Sequence, residues 1–165
     1  KKTYRAESPP SAEEIVPPKK GIFDIQDKYD WHASLISITR GCPFQCDWCN
    51  VPIYQGPKTR LRPLSDVVAD IKELSGQEFY ITDDMIMLNR PKIQRYMMEL
   101  CDNIKDFNVS MFLSCSPAMN SDPAFLDAIA RGGAKEMYTV FASDPFSARF
   151  FSRHLQENLY NFQAL

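Results

Sequence analysis

"SLISITRGCPFQCDWCNVP", residues 34–52, runs a short β-branched apolar segment into a loop holding three cysteines within eight residues. Residues 34–39, SLISIT, read as a strand, and Cys42, Cys46 and Cys49 follow at the spacing C-x3-C-x2-C. Gly41, at the mouth of the loop, supplies the backbone freedom and close approach that a tight fold around a ligand needs. Downstream, LSDVVADIKELSG (64–76) places Val67, Val68, Ile71 and Leu74 at helical spacing, with Ser65 positioned to cap. The order is strand, loop, helix.

Working outward, the same order repeats. EFYITDD (78–84) is a second strand, followed by a helix over 91–106 whose Ile93, Tyr96, Met97, Leu100 and Ile104 share one face. NVSMFLSCS (108–116) is a third strand; its helix spans 121–133, with Ser121 or Asp122 as cap, Pro123 in the first turn and glycines as the stop. EMYTVFAS (136–143) is a fourth strand, with a helix from about Ser147 onward. Four successive βα units predict an α/β fold with a parallel sheet, right-handed crossovers and helices packed on its outer face. Ligands in such sheets bind beyond the carboxyl ends of the strands. There the sequence places Arg40 to Asn50, Asp83 and Asp84, Ser114 to Ser116, and Ser143 with Asp144.

Bulk properties narrow the classes. A chain of 165 residues, 44% hydrophobic and 24% charged, is the size of one domain with a sizeable core. Residues 1–20, with four of the twelve prolines, read as a linker or extended arm, and residues 21–165 as the folded domain. A net charge of -2 and an isoelectric point near 5.7 provide no basic field for a phosphate backbone, which argues against nucleic acid as an electrostatic partner. The N-terminal stretch lacks the apolar core of a secretory signal, and no apolar run approaches transmembrane length, so a cytoplasmic location is expected.

Three clustered thiols in a reducing compartment point to metal or redox chemistry. Four thiolates complete a tetrahedral zinc site or a four-iron cluster, whereas three on a cubane leave one iron without a protein ligand. His32 precedes the cluster by ten residues and His154 stands far downstream, and both read as structural. Three readings stay open on the residues alone: a cluster with an open iron; a structural or electron-transfer module, such as a zinc site completed by Cys115; or a dithiol redox pair of Cys46 and Cys49. Cys101 and Cys115 otherwise read as buried thiols, and Met85, Met87, Met97 and Met98 as packing.

ITRGCPFQCDWCNVP resembles the C-x3-C-x-aromatic-C signature of the radical S-adenosylmethionine enzymes, with Trp48 as the aromatic. The resemblance implies a [4Fe–4S] cluster on Cys42, Cys46 and Cys49, S-adenosylmethionine chelated by the open iron, and reduction by a flavodoxin- or ferredoxin-type donor to release a 5′-deoxyadenosyl radical. RLRPLSDVVADIKEL and FYITDDMIMLNRPK are similar to the cobalamin-binding branch, and the proline-rich lead to the linker that follows that branch's upstream cobalamin domain. The implied fold is a partial, TIM-like barrel of six βα units, of which about four are present, so a chain truncated on its C-terminal side is expected. The implied function is methyl transfer or another modification of an unreactive carbon in a lipid, tetrapyrrole or similar small molecule.

On the same resemblance, Gly41, Trp48, Asp83, Asp84 and Ser143 are the candidate cofactor-binding residues. Asp83 or Asp84 would accept from the cofactor's ammonium where many members carry Gly-Gly-Glu; the alternative is a capping or solvated carboxylate pair. Ser143 matches a ribose-facing serine, but the neighbouring glutamate of the pattern is missing, and Asp144 either replaces it or caps a turn. Arg40 faces the cluster or a cofactor carboxylate, or else pairs at the rim.

Overall fold

The computed structural model describes residues 8–11, 13–16, 34–44, 49–83, 86, 90–115 and 122–139. Four strands, β1 (Ser34–Ile36), β4 (Glu78–Ile81), β5 (Ser110–Cys115) and β6 (Ala134–Thr139), form one sheet in the order β1-β4-β5-β6. Every pairing is parallel, with Leu35 opposite Tyr80 and Tyr80 opposite Phe112. Parallel neighbours need a crossover, and the intervening helices supply it: α2 (Leu64–Lys72) lies between β1 and β4 in the chain, α3 (Pro91–Ile104) between β4 and β5, and α4 (Pro123–Arg131) between β5 and β6. The parallel α/β sheet expected from the repeated pattern is present.

Alternation along the strands sorts the two faces of the sheet. Ile36, Phe79, Ile81, Met111, Leu113 and Cys115 enter the main apolar core with Val67 and Ile71 of α2, Ile93, Met97 and Leu100 of α3, and Phe125 and Ile129 of α4. Leu35, Tyr80 and Phe112 alternate with those residues and stay out of that core. The Tyr80 and Phe112 rings stack at 4.5 Å, and Lys135 lies over the Phe112 ring while pairing with Glu78.

Caps and stops follow local chemistry, with one correction. Asp122 caps α4 by accepting from the Ala124 amide (2.9 Å), and proline occupies the first turn of both α3 and α4, where a missing N–H leaves no bond unmade. Ser65 does not cap α2. That helix starts one residue earlier, at Leu64 after Pro63, so the Ser65 hydroxyl is already inside the first turn, where it donates to Asp66.

The first strand also departs from expectation. SLISIT is not one strand: β1 stops at Ile36, and the chain shifts sideways so that Thr39–Arg40 (β2) pairs antiparallel with Arg60–Leu61 (β3). A short helix, α1 (Val51–Tyr54), follows the cysteine loop. The last expected strand begins two residues early, at Ala134, and its continuation past Thr139 and the helix from Ser147 lie outside the described residues. Described residues of the N-terminal arm carry no helix or strand, yet the arm touches the domain where the Arg60 guanidinium donates to the Pro10 carbonyl (2.8 Å). No helix among the described residues is long and apolar enough to cross a membrane.

Candidate metal centre

The cysteine loop leaves the sheet at the carboxyl end of β1, beside the end of β4. Its entry is tightly determined. Gly41 has φ +88°, and a Cβ placed there would lie 2.3 Å from the Lys58 carbonyl oxygen and 2.9 Å from that of Gly56, so only glycine fits. The Gly41 amide donates to Gln55 Oε1 (2.9 Å) and the Cys42 amide to the Gly56 carbonyl (3.3 Å). Arg60 Nη2 in turn donates to the Gln55 carbonyl (2.7 Å), which ties the turn after α1 to β3.

Upstream of Gly41, the crossover segment Ser37–Thr39 is buried and its backbone groups are taken by distant partners. Asp83, 4% exposed, accepts from the Ile38 amide through Oδ2 (2.8 Å) and from the Thr39 amide through Oδ1. The Thr82 amide donates to the Ile36 carbonyl (2.9 Å). On the other flank, Arg62 sends its amide to the Ile38 carbonyl (2.9 Å), Nη1 to the Ser37 carbonyl (2.6 Å) and Nη2 to Asp70 Oδ2 (2.9 Å). Arg62 is 2% exposed, so this is a buried ion pair held between α2 and the crossover. Burial pushes the Asp83 carboxyl above its usual range, opposed by the Thr39 and Ile38 hydrogen bonds and by the nearby Arg40 charge.

The expected site residues are distributed as follows. Cys42 is buried and Cys49 half-buried, and neither is in a disulfide. Cys46, Trp48, Asp84, Ser143 and Asp144 lie outside the described residues. Among those described, no group of three His, Cys, Asp or Glu side chains converges on a metal position. Asp83 stands at the predicted edge, neither solvated nor capping a helix. Arg40 donates to Ser37 Oγ and to the Thr39 carbonyl (3.0 Å), within its own turn. Cys115 at the end of β5 and Cys101 in α3 are both packed in the core, where burial pushes the Cys101 thiol up to about 12.

Arg62, Gln55 and Gly56 were not legible as site-building residues. Gly-Pro at 56–57 does mark a turn, but nothing local shows that its carbonyl serves Cys42. The donor chemistry fits a thiolate-held cluster: Cys42 and Cys49, the loop cysteines among the described residues, are in no disulfide, and Gly41 lets the backbone entering the loop pack against the Lys58 and Gly56 carbonyls.

A family model described as the radical SAM superfamily matches residues 36–146, from the last residue of β1 past the end of β6. The chain belongs to the radical SAM superfamily. Among curated relatives, it is 33% identical over 58 residues to the human mitochondrial tRNA methylthiotransferase CDK5RAP1, covering 35% of this chain and 10% of that protein. It is 29% identical over 109 residues to the ribosomal protein uS12 methylthiotransferase RimO of Nitratiruptor, covering 61% and 24%. The radical SAM methyltransferase TsrM from Kitasatospora setae, solved with cobalamin and a [4Fe–4S] cluster, superposes with a TM-score of 0.60 at 20% identity, over 73% of this chain and 23% of that one. The fold is therefore that of part of a radical SAM barrel, and the chain spans a quarter or less of the length of each of these proteins.

Proposed function

We propose that this radical SAM chain holds a [4Fe–4S] cluster on Cys42, Cys46 and Cys49, leaves one iron open to S-adenosylmethionine, and serves methyl or methylthio transfer to an unreactive carbon. The observation that carries this reading is the family match over a loop whose entry, at Gly41 and Cys42, is pinned at the carboxyl edge of the sheet. When bound, such a cluster supplies an electron to the sulfonium and frees a 5′-deoxyadenosyl radical from S-adenosylmethionine.

The chain's own residues would bind and orient. Gly41 lets the backbone close on Lys58 and Gly56, and Cys42 is presented from a buried position that excludes water. Of the acidic pair, Asp84 is our candidate for the cofactor's ammonium, because Asp83 is buried and turns both its oxygens toward backbone amides of the crossover. Trp48 would shield the cluster and Ser143 would face the ribose. Cobalamin, if used, would be brought by another domain, and a small acidic redox protein would provide the electron. The named targets of the two curated relatives are a tRNA and a ribosomal protein. A net charge of -2 and no basic tract argue against a nucleic-acid substrate for this chain, and of the remaining classes we favour a small molecule.

Anaerobic reconstitution tests the reading. About four irons per chain, a brown chromophore lost on oxidation, and 5′-deoxyadenosine formed from S-adenosylmethionine on reduction are expected. A colourless protein holding one zinc, or a reversible Cys46–Cys49 disulfide without metal, would overturn it.

A further inference from the structure

Within the core, polar groups gather at one place only among the described residues: the crossover where β1 gives way to β2. Ser37, Thr39, Arg62, Asp70 and Asp83 are the buried polar or charged residues of the described chain, and hydrogen bonds join all five around residues 37–39. Burying ionised groups is unfavourable unless they are paired, so a cluster of this kind points to a backbone conformation that apolar packing alone would not hold. Three residues further on is Cys42.

We propose that Asp83 is a positioning residue for the cysteine loop: by accepting the Ile38 and Thr39 amides, it fixes the crossover that delivers Cys42 to the cluster, and it does not bind S-adenosylmethionine. The proposal rests on the iron–sulfur reading above. Asp83 reaches across 44 and 45 residues of sequence to those two amides, so it couples the end of β4 to the end of β1 where the family's chemistry takes place. A strand continuing straight through Ser37 and Ile38 would leave these amides to a neighbouring ladder. Here Asp83 takes both amides with its side chain, while the Ser37 carbonyl accepts from the Arg62 guanidinium and the Ile38 carbonyl from the Arg62 amide, beside the first β2/β3 pair. Held in this way, the chain runs on into the pairing with Leu61 and Arg60 in β3, and Gly41 follows directly.

Three measurements on the full chain test it, using Asp83→Asn and Asp83→Ala. In the metal-free protein, peptide-resolved hydrogen exchange over 37–42 is expected to speed up by about tenfold or more in the alanine variant, and by less in the asparagine variant, which keeps one acceptor. Alkylation of Cys42 should accelerate in the same order. After anaerobic reconstitution, iron content should fall in that order, while S-adenosylmethionine affinity per loaded cluster stays within about threefold of wild type.

Unchanged exchange and Cys42 reactivity in the alanine variant would overturn the proposal. So would faster exchange with full iron loading, or an affinity loss of about tenfold or more in loaded Asp83→Asn, the signature of a lost ammonium ligand. Should the alanine variant not fold, the asparagine variant decides by the same criteria. A wild-type protein that takes up no iron refutes the functional reading, while exchange and alkylation still decide whether Asp83 holds the crossover.

Discussion

Gly41 and Lys58 face each other with no room for a side chain: a Cβ on Gly41 would sit 2.3 Å from the Lys58 carbonyl oxygen, and the obstacle is backbone that cannot rotate away. Gly41→Ala therefore combines a left-handed backbone with a clash and is expected to cost on the order of 3 kcal/mol, read as a lower denaturant midpoint. Gly76 is the control. It has φ +78° but nothing within 4 Å of its would-be Cβ, so Gly76→Ala should cost only about 1–2 kcal/mol.

The cysteines separate into two sets. Cys42→Ser, Cys46→Ser and Cys49→Ser should each remove most of the iron from anaerobically reconstituted protein, because a serine oxygen is a poor substitute for thiolate on iron. Cys101→Ser and Cys115→Ser should retain it, since both positions are core. Iron and sulfide analysis with the visible spectrum checks this, and loss of the chromophore in Cys115→Ser would make Cys115 a ligand.

Arg62 and Asp70 form a buried pair, with side chains 2% and 13% exposed. Arg62→Met should destabilise the fold by about 3–5 kcal/mol by leaving the carboxylate without its partner. The Arg62→Met/Asp70→Leu double variant should cost much less than the sum of the single changes, although the Ser37 and Ile38 carbonyls then lose their donors. A double-mutant cycle from urea unfolding measures the coupling.

Cys101 gives a pH dependence whose sign is fixed by its environment. Burial raises the thiol from 9.0 to about 12, so the folded state holds the proton more tightly than the unfolded chain does. Its contribution to stability is complete below the unfolded value and is lost as pH rises through about 12. Cys101→Ala should therefore flatten the stability profile between those limits, and native Cys101 should resist iodoacetamide at pH 9 while half-buried Cys49 reacts.

Periodicity made the helices and inner strands readable. Ile93, Met97, Leu100 and Ile104 declare the buried face of α3, and Asp122-Pro123 declares the start of α4. What local pattern could not show is the break in SLISIT, where β-branched residues favour a strand throughout. The break comes from Asp83 and Arg62, 45 and 24 residues away from Ile38, which claim the backbone groups a straight strand would use. Nothing local in the sequence marks Arg62, whose role depends on Asp70 and the Ser37 carbonyl brought around it by the fold. Ser65 misleads for the opposite reason: Pro63 sets the helix start one position ahead of a good capping side chain. The three-cysteine loop was plain from spacing, but the pinning of its entry by Gln55 and Gly56 depends on a turn that returns from beyond α1.

The small β2/β3 ribbon joins Thr39–Arg40 to Arg60–Leu61, so the stretch between them is a closed ring and not an open excursion. Closing a ring of that size in a disordered chain carries an entropic penalty of several kcal/mol, which the ladder offsets with backbone pairing alone. On the cluster reading proposed above, that tether limits how far Cys42, Cys46 and Cys49 can separate and so raises their effective concentration toward a shared ligand.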